Sequence, residues 1–84
     1  MSDLRKVTLY TRVGCHLCDD VKLVLDEVRK ETPFSLEVLD IDRDPALKAL
    51  YNEEVPVVAI DGKKAFKYRM TAEQLRARLA RPRD

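Results

Sequence analysis

Eighty-four residues leave room for one domain with one modest core, placed here between about residues 6 and 80. A hydrophobic content of 45% beside 37% charged residues excludes a disordered chain. The longest apolar run, Val55 to Ile60, is interrupted by Pro56 and is far too short for a membrane span. The start, Met1-Ser2-Asp3-Leu4-Arg5-Lys6, lacks the apolar stretch of a secretory signal, so a cytoplasmic location is expected.

The net charge of +1 hides an asymmetry. Residues 1–62 carry 8 basic and 13 acidic side chains, and residues 63–84 carry 8 basic and 2 acidic. No aromatic residue interleaves with Arg76, Arg78, Arg81 and Arg83 as a base-stacking platform would require. These arginines therefore read as the solvated side of a terminal helix, and no nucleic-acid partner is expected.

Val7-Thr8-Leu9-Tyr10 is β-branched and aromatic, and reads as a strand buried on both faces. Thr11-Arg12-Val13-Gly14 is the loop that follows. A helix then runs from about Cys15 to Lys30, with Leu17, Val21, Val24, Leu25 and Val28 on one stripe. Asp19 and Asp20 suit its first turn and Arg29 and Lys30 its last, and Thr32-Pro33 stops it. Ser35 to Ile41 is a second strand, in which Leu36 and Val38 alternate with Glu37 and Leu39. Strand, helix and strand make a right-handed crossover unit with a parallel pair.

Asp44 caps a short helix whose first position is Pro45, where the missing N–H costs nothing. Ala46, Leu47, Leu50 and Tyr51 give it an apolar side. Val55 to Ile60 is a third strand, entered through Pro56. Asp61-Gly62 is a hairpin signal, so Lys64 to Lys67 return antiparallel as an edge strand whose lysines suit exposure. Thr71 and Gln74 form a capping box, with Met70 and Leu75 as its hydrophobic staple. Leu75 and Leu79 face inward on this last helix, and Pro82 ends it. The expected order is βαβαββα: an α/β fold with a four-stranded mixed sheet and three helices.

Both cysteines lie in Gly14-Cys15-His16-Leu17-Cys18, at the start of the first helix. That place puts one thiol at the exposed end and the other about one turn inside, close enough to join. Unpaired N–H groups and the helix dipole favour the Cys15 thiolate. A structural zinc site in one chain would need four ligands, and only Cys15, Cys18 and His16 are at hand. The expected chemistry is a redox dithiol: Cys15 attacks a disulfide and Cys18 resolves the mixed disulfide. The alternative is a dimeric module that shares an iron–sulfur cluster or metal without redox turnover. His16 reads first as a solvent-exposed spacer, and second as a residue that tunes the Cys15 pKa against Asp19 and Asp20. Pro56 is either tolerated at a strand start or cis, exposing the backbone at Val55 to an extended substrate. The element order favours cis.

With Cys-x-x-Cys at the first helix and Val55-Pro56 before the third strand, the chain resembles the glutaredoxin branch of the thioredoxin superfamily from about Lys6 to Leu79. The resemblance implies Cys15 as nucleophile, Cys18 as resolving thiol and Pro56 as the cis-proline. It also implies that Arg12, three residues before Cys15, meets a glutathione carboxylate. The sequence departs from that family at two places. His16-Leu17 stands where Pro-Tyr is usual between the cysteines. Phe66-Lys67-Tyr68-Arg69-Met70-Thr71 stands where a Gly-Gly turn and an Asp hold the other end of glutathione. The expected protein is a monomer that uses no cofactor beyond its Cys15–Cys18 disulfide. It takes a protein or small-molecule disulfide as substrate and is reduced mainly by a thiol protein or flavin reductase, with weak glutathione activity.

Overall fold

A computed structural model describes residues 4–52 and 54–81. The elements follow the expected order: β1 (Lys6–Thr11), α1 (His16–Glu31), β2 (Ser35–Asp40), α2 (Pro45–Tyr51), β3 (Val57–Ile60), β4 (Lys63–Lys67) and α3 (Ala72–Leu79). A single turn of 3-10 helix, Ile41–Arg43, joins β2 to α2. The sheet order is β2-β1-β3-β4, with β1 parallel to β2 and the other two pairs antiparallel. This is the four-stranded mixed sheet with three helices of a thioredoxin-type fold.

Side-chain alternation in β1 and β3 assigns the two faces of the sheet. Val7 lies opposite Ile60 and Leu9 opposite Val58, so these four share one face. Val21, Leu25 and Val28 of α1 and Leu75 and Leu79 of α3 pack on that face, with Phe34 and Met70. Burial of such apolar side chains is the main term holding the fold together, worth about 1.5–3 kcal/mol for each large one. All of β3 is buried, as befits a strand flanked by neighbours and covered on both faces. Arg29 closes the turn after α1 by donating from Nε to the Phe34 carbonyl at 3.1 Å.

The hairpin between β3 and β4 turns on Asp61 and Gly62, both left-handed with φ of 52° and 85°. Glycine adopts that conformation without cost, and Asp tolerates it. The Asp61 carboxylate also accepts from the Lys6 N–H at 3.0 Å and from Arg5. Arg5 donates in turn to the Leu79 carbonyl at 3.1 Å, tying the end of α3 to the sheet. The capping box of α3 is complete: the Gln74 N–H donates to Thr71 Oγ1 at 3.1 Å, and Thr71 N–H to Gln74 Oε1 at 3.0 Å.

Three expectations are corrected. The second strand stops at Asp40, because the Asp40 side chain accepts from the Asp42 N–H at 2.9 Å and turns the chain into the 3-10 turn. Val38 is exposed although it faces the same way as Leu9, because β2 is an edge strand. α2 has no buried residue, and Leu50 is 63% exposed. Its anchor is Tyr51, whose ring lies 4.7 Å from that of Tyr10 between centroids. The expected stop at Pro82, and Arg83, lie outside the described residues. Among the described residues, no helix is long and apolar enough to cross a membrane.

Candidate active site

The strand register gathers the candidate residues at one end of the sheet. β1 ends at Thr11 opposite Asp40 of β2, and Tyr10 lies opposite Val57, just past Pro56. Val57 lies opposite Lys67, so the end of β4 reaches the same edge. The loop to Cys15, the Val55-Pro56 step and the segment after Lys67 therefore come together.

Gly14 opens the site. Its φ of 82° is left-handed, and no neighbouring atom lies near where a Cβ would sit, so the backbone conformation alone favours glycine. Cys15 is the N-cap of α1, in extended conformation, and its Sγ accepts from the Cys18 N–H at 3.1 Å. Cys15 is half-buried, whereas Cys18 is 3% exposed, one turn further in. The two are joined as a disulfide with their Cα atoms 5.2 Å apart. His16 is the first residue of α1 and is exposed, as are Asp19 and Asp20. Val13, in the loop between β1 and α1, stands 88% exposed two residues before Cys15.

The Val55–Pro56 peptide bond is cis, and Pro56 is buried. The Pro56 carbonyl accepts from the Tyr68 N–H at 2.8 Å, so the segment after β4 is pinned to the start of β3.

Arg12 is occupied by its own protein. Its Nε donates to Asp42 Oδ2 at 3.1 Å and its Nη2 to Asp42 Oδ1 at 2.6 Å, a two-pronged pair. Nη1 donates to the Asn52 carbonyl at 2.7 Å and Nη2 to Asn52 Oδ1 at 3.2 Å. Hydrogen bonding to Arg12 holds the Asp42 carboxyl below the ordinary carboxylate range, and the same bond raises the Arg12 guanidinium. Through this clamp the loop before Cys15 is fastened to the 3-10 turn and to the end of α2.

On the opposite flank a groove of about 420 Å³ opens between α1 and α3. Leu17, Val21, Val24 and Met70 give it apolar walls, and Asp20, Arg69 and Gln74 a mixed polar rim. Tyr68 and Thr71 complete it. Leu17 and Val24, on the apolar stripe of α1, are only half-buried and both line this groove, Val24 also packing against the core. Spacing alone does not separate Leu17 and Val24 from Val21, Leu25 and Val28, so the groove has no signal of its own in the sequence.

This fold and dithiol place the chain among known proteins. The model of the glutaredoxin-like domain (DUF836) matches residues 6–80, and the chain belongs to that family. A protein of Nitrosomonas europaea with a solution structure is 34% identical, with a TM-score of 0.81 over 95% of this chain and 96% of that one. An uncharacterised protein of Mycobacterium tuberculosis is 33% identical over 90% of this chain and 84% of its own length. Chloroplastic thioredoxin z, 17% identical with a TM-score of 0.73 over 92% of this chain and 76% of that one, shares the fold. The chain is thus a glutaredoxin-like, thioredoxin-fold domain carrying a Cys-x-x-Cys pair compatible with a redox role.

Proposed function

We propose that the protein is a thiol–disulfide oxidoreductase working through a Cys15/Cys18 dithiol. The observation that carries this reading is the placement of the pair: Cys15 half-buried at the N-cap of α1 and Cys18 buried one turn inside. In the reduced protein the free N–H groups at the start of α1 favour the Cys15 thiolate. That thiolate attacks one sulfur of a substrate disulfide, forming a mixed disulfide and releasing the other sulfur as a thiolate. The Cys18 thiolate then attacks Cys15 Sγ, closes the Cys15–Cys18 disulfide and releases the second substrate thiolate. Two electrons pass from the dithiol to the substrate, and a thiol protein or flavin reductase returns them.

The backbone at Val55, at the end of the sheet that carries the loop to Cys15, is offered to an extended substrate. Glutathione is a poor fit as donor. The Arg12 fork that would take one of its carboxylates is already held by Asp42 and Asn52. The substrate is a protein or small-molecule disulfide, met in the cytoplasm by a monomer.

The test is a pair of single variants assayed for disulfide reduction. Cys15→Ser abolishes turnover, since no second thiolate is placed to attack. Cys18→Ser accumulates a mixed disulfide at Cys15, seen as an added mass on the intact protein. Turnover that survives Cys15→Ser, or faster alkylation of Cys18 than of Cys15 in the reduced protein, refutes the assignment.

A further inference from the structure

Tyr68 stands in a conformation that its own residue type disfavours. Its φ is 68°, and the Arg69 N–H donates to the Lys67 carbonyl at 2.8 Å across it. A bond that skips one residue, closed around a left-handed centre, is the rarer and more strained form of the γ-turn. Among the described residues the other non-glycine at positive φ is Asp61, a residue type that hairpin turns favour there. Tyrosine has no such local use for the conformation.

Tyr68 is 41% exposed, with Lys67 Nζ 5.4 Å from its ring centroid. It borders the groove shared by Leu17, which lies between the two cysteines. Strained backbone that holds an exposed aromatic beside a reactive pair points to function rather than to packing. The groove's chemistry narrows the occupant. Its walls are apolar and its rim sets one carboxylate, Asp20, against one guanidinium, Arg69, so its charge is balanced. Its volume of about 420 Å³ lies within the range of small-ligand sites. An uncharged apolar side chain flanked by peptide groups matches this lining.

We propose that Tyr68 is a specificity residue which, with this groove, receives the apolar side chain adjoining the cysteine of a disulfide-linked peptide or protein substrate. The inference rests on the dithiol reading above and adds the substrate class to it. The chemistry is the same exchange: two electrons pass from the Cys15/Cys18 dithiol to the peptide disulfide, and added dithiothreitol restores the dithiol.

The experiment measures kcat/KM on the full chain for symmetrical blocked dipeptide disulfides X-Cys, with X as Gly, Leu or Phe. Oxidised glutathione and hydroxyethyl disulfide complete the series. The Leu and Phe peptides are expected to exceed the Gly peptide and oxidised glutathione by about tenfold. Tyr68→Gly is expected to flatten that ratio towards one without lowering Tm, since glycine accepts this φ, and Tyr68→Phe to retain it. A flat series in a wild type that still reduces hydroxyethyl disulfide refutes the specificity role and leaves the dithiol reading standing. Preference for oxidised glutathione assigns the groove to glutathione and refutes the proposal. So does a preference unchanged in Tyr68→Gly, and a large fall in its Tm refutes the strain argument. A wild type that reduces none of the disulfides refutes the dithiol reading, and this inference with it.

Discussion

The two flanks of the cysteine pair are built on opposite principles. On the Arg12 side, charged groups are spent on each other: the guanidinium makes four hydrogen bonds to Asp42 and Asn52. On the Tyr68 side the backbone is tied down, through the Tyr68 N–H and the Pro56 carbonyl, while the side chains line an open groove. A satisfied guanidinium has little left to offer a ligand. The turn fixes the backbone that carries the Tyr68 ring before any ligand arrives, which lowers the cost of binding. The difference separates a flank that positions Cys15 from a flank that selects what reaches it.

The sharpest way to break this comparison is Arg12→Ala. As a clamp, Arg12 holds the loop that ends at Cys15, whose N–H donates to the Arg12 carbonyl at 3.3 Å. Its loss lets the loop wander, and misplacement of a reacting atom is costly. Reduction of every disulfide in the series is expected to slow by a common factor of roughly three to ten, with a Tm lower by a few degrees. A selective loss with glutathione-containing disulfides alone makes Arg12 a substrate contact and erases the contrast between the flanks.

Much of this was legible beforehand. Asp44-Pro45, Asp61-Gly62 and the Thr71/Gln74 box each fix backbone through bonds between near neighbours, and all fell where local chemistry set them. The cysteine pair was legible for the same reason. The groove was not, because Leu17 and Val24 repeat at the same helical spacing as Val21, Leu25 and Val28. Periodicity gives the face of a helix, but the neighbours decide how far that face is covered. Val38 and Leu50 failed likewise: their exposure depends on strand order and on how little of α2 meets the sheet. The Arg12 clamp joins residues 30 and 40 positions apart, a separation no local pattern reports.

A gentler test of the clamp uses acid. Arg12 holds the Asp42 carboxyl below the usual range, and Lys64 does the same to Glu54 through a bond of 3.0 Å. A carboxyl with a folded pKa depressed below its unfolded value adds stability that is present above the unfolded pKa. That stability fades as pH falls through the folded value. Tm is therefore expected to decline from about pH 5 downwards. The Asp42→Asn variant should lose part of this slope while starting from a lower Tm at neutral pH. Asp42 is solvent-exposed and Glu54 partly so, and salt should therefore shrink the effect. A slope identical in wild type and Asp42→Asn would show that the pair contributes nothing.

The smallest effect is expected at His16, which belongs to neither flank. It lies between the cysteines in sequence, yet it is exposed at the first position of α1. Its imidazolium form favours the Cys15 thiolate, whereas Asp19 and Asp20, within the same turn and the next, oppose it. The helix N-terminus favours the thiolate whichever residue stands at position 16, because it acts through backbone N–H groups. The structure repeats this in miniature: the Cys18 N–H, not a side chain, points at Cys15 Sγ. In the Cys18→Ser background, where one thiol titrates alone, His16→Ala is expected to raise the Cys15 pKa by well under about one unit. The thiolate's ultraviolet absorbance, followed against pH, reads this directly. A rise of about two units or more would make His16 the main support of the thiolate and shift the activating role from backbone to side chain.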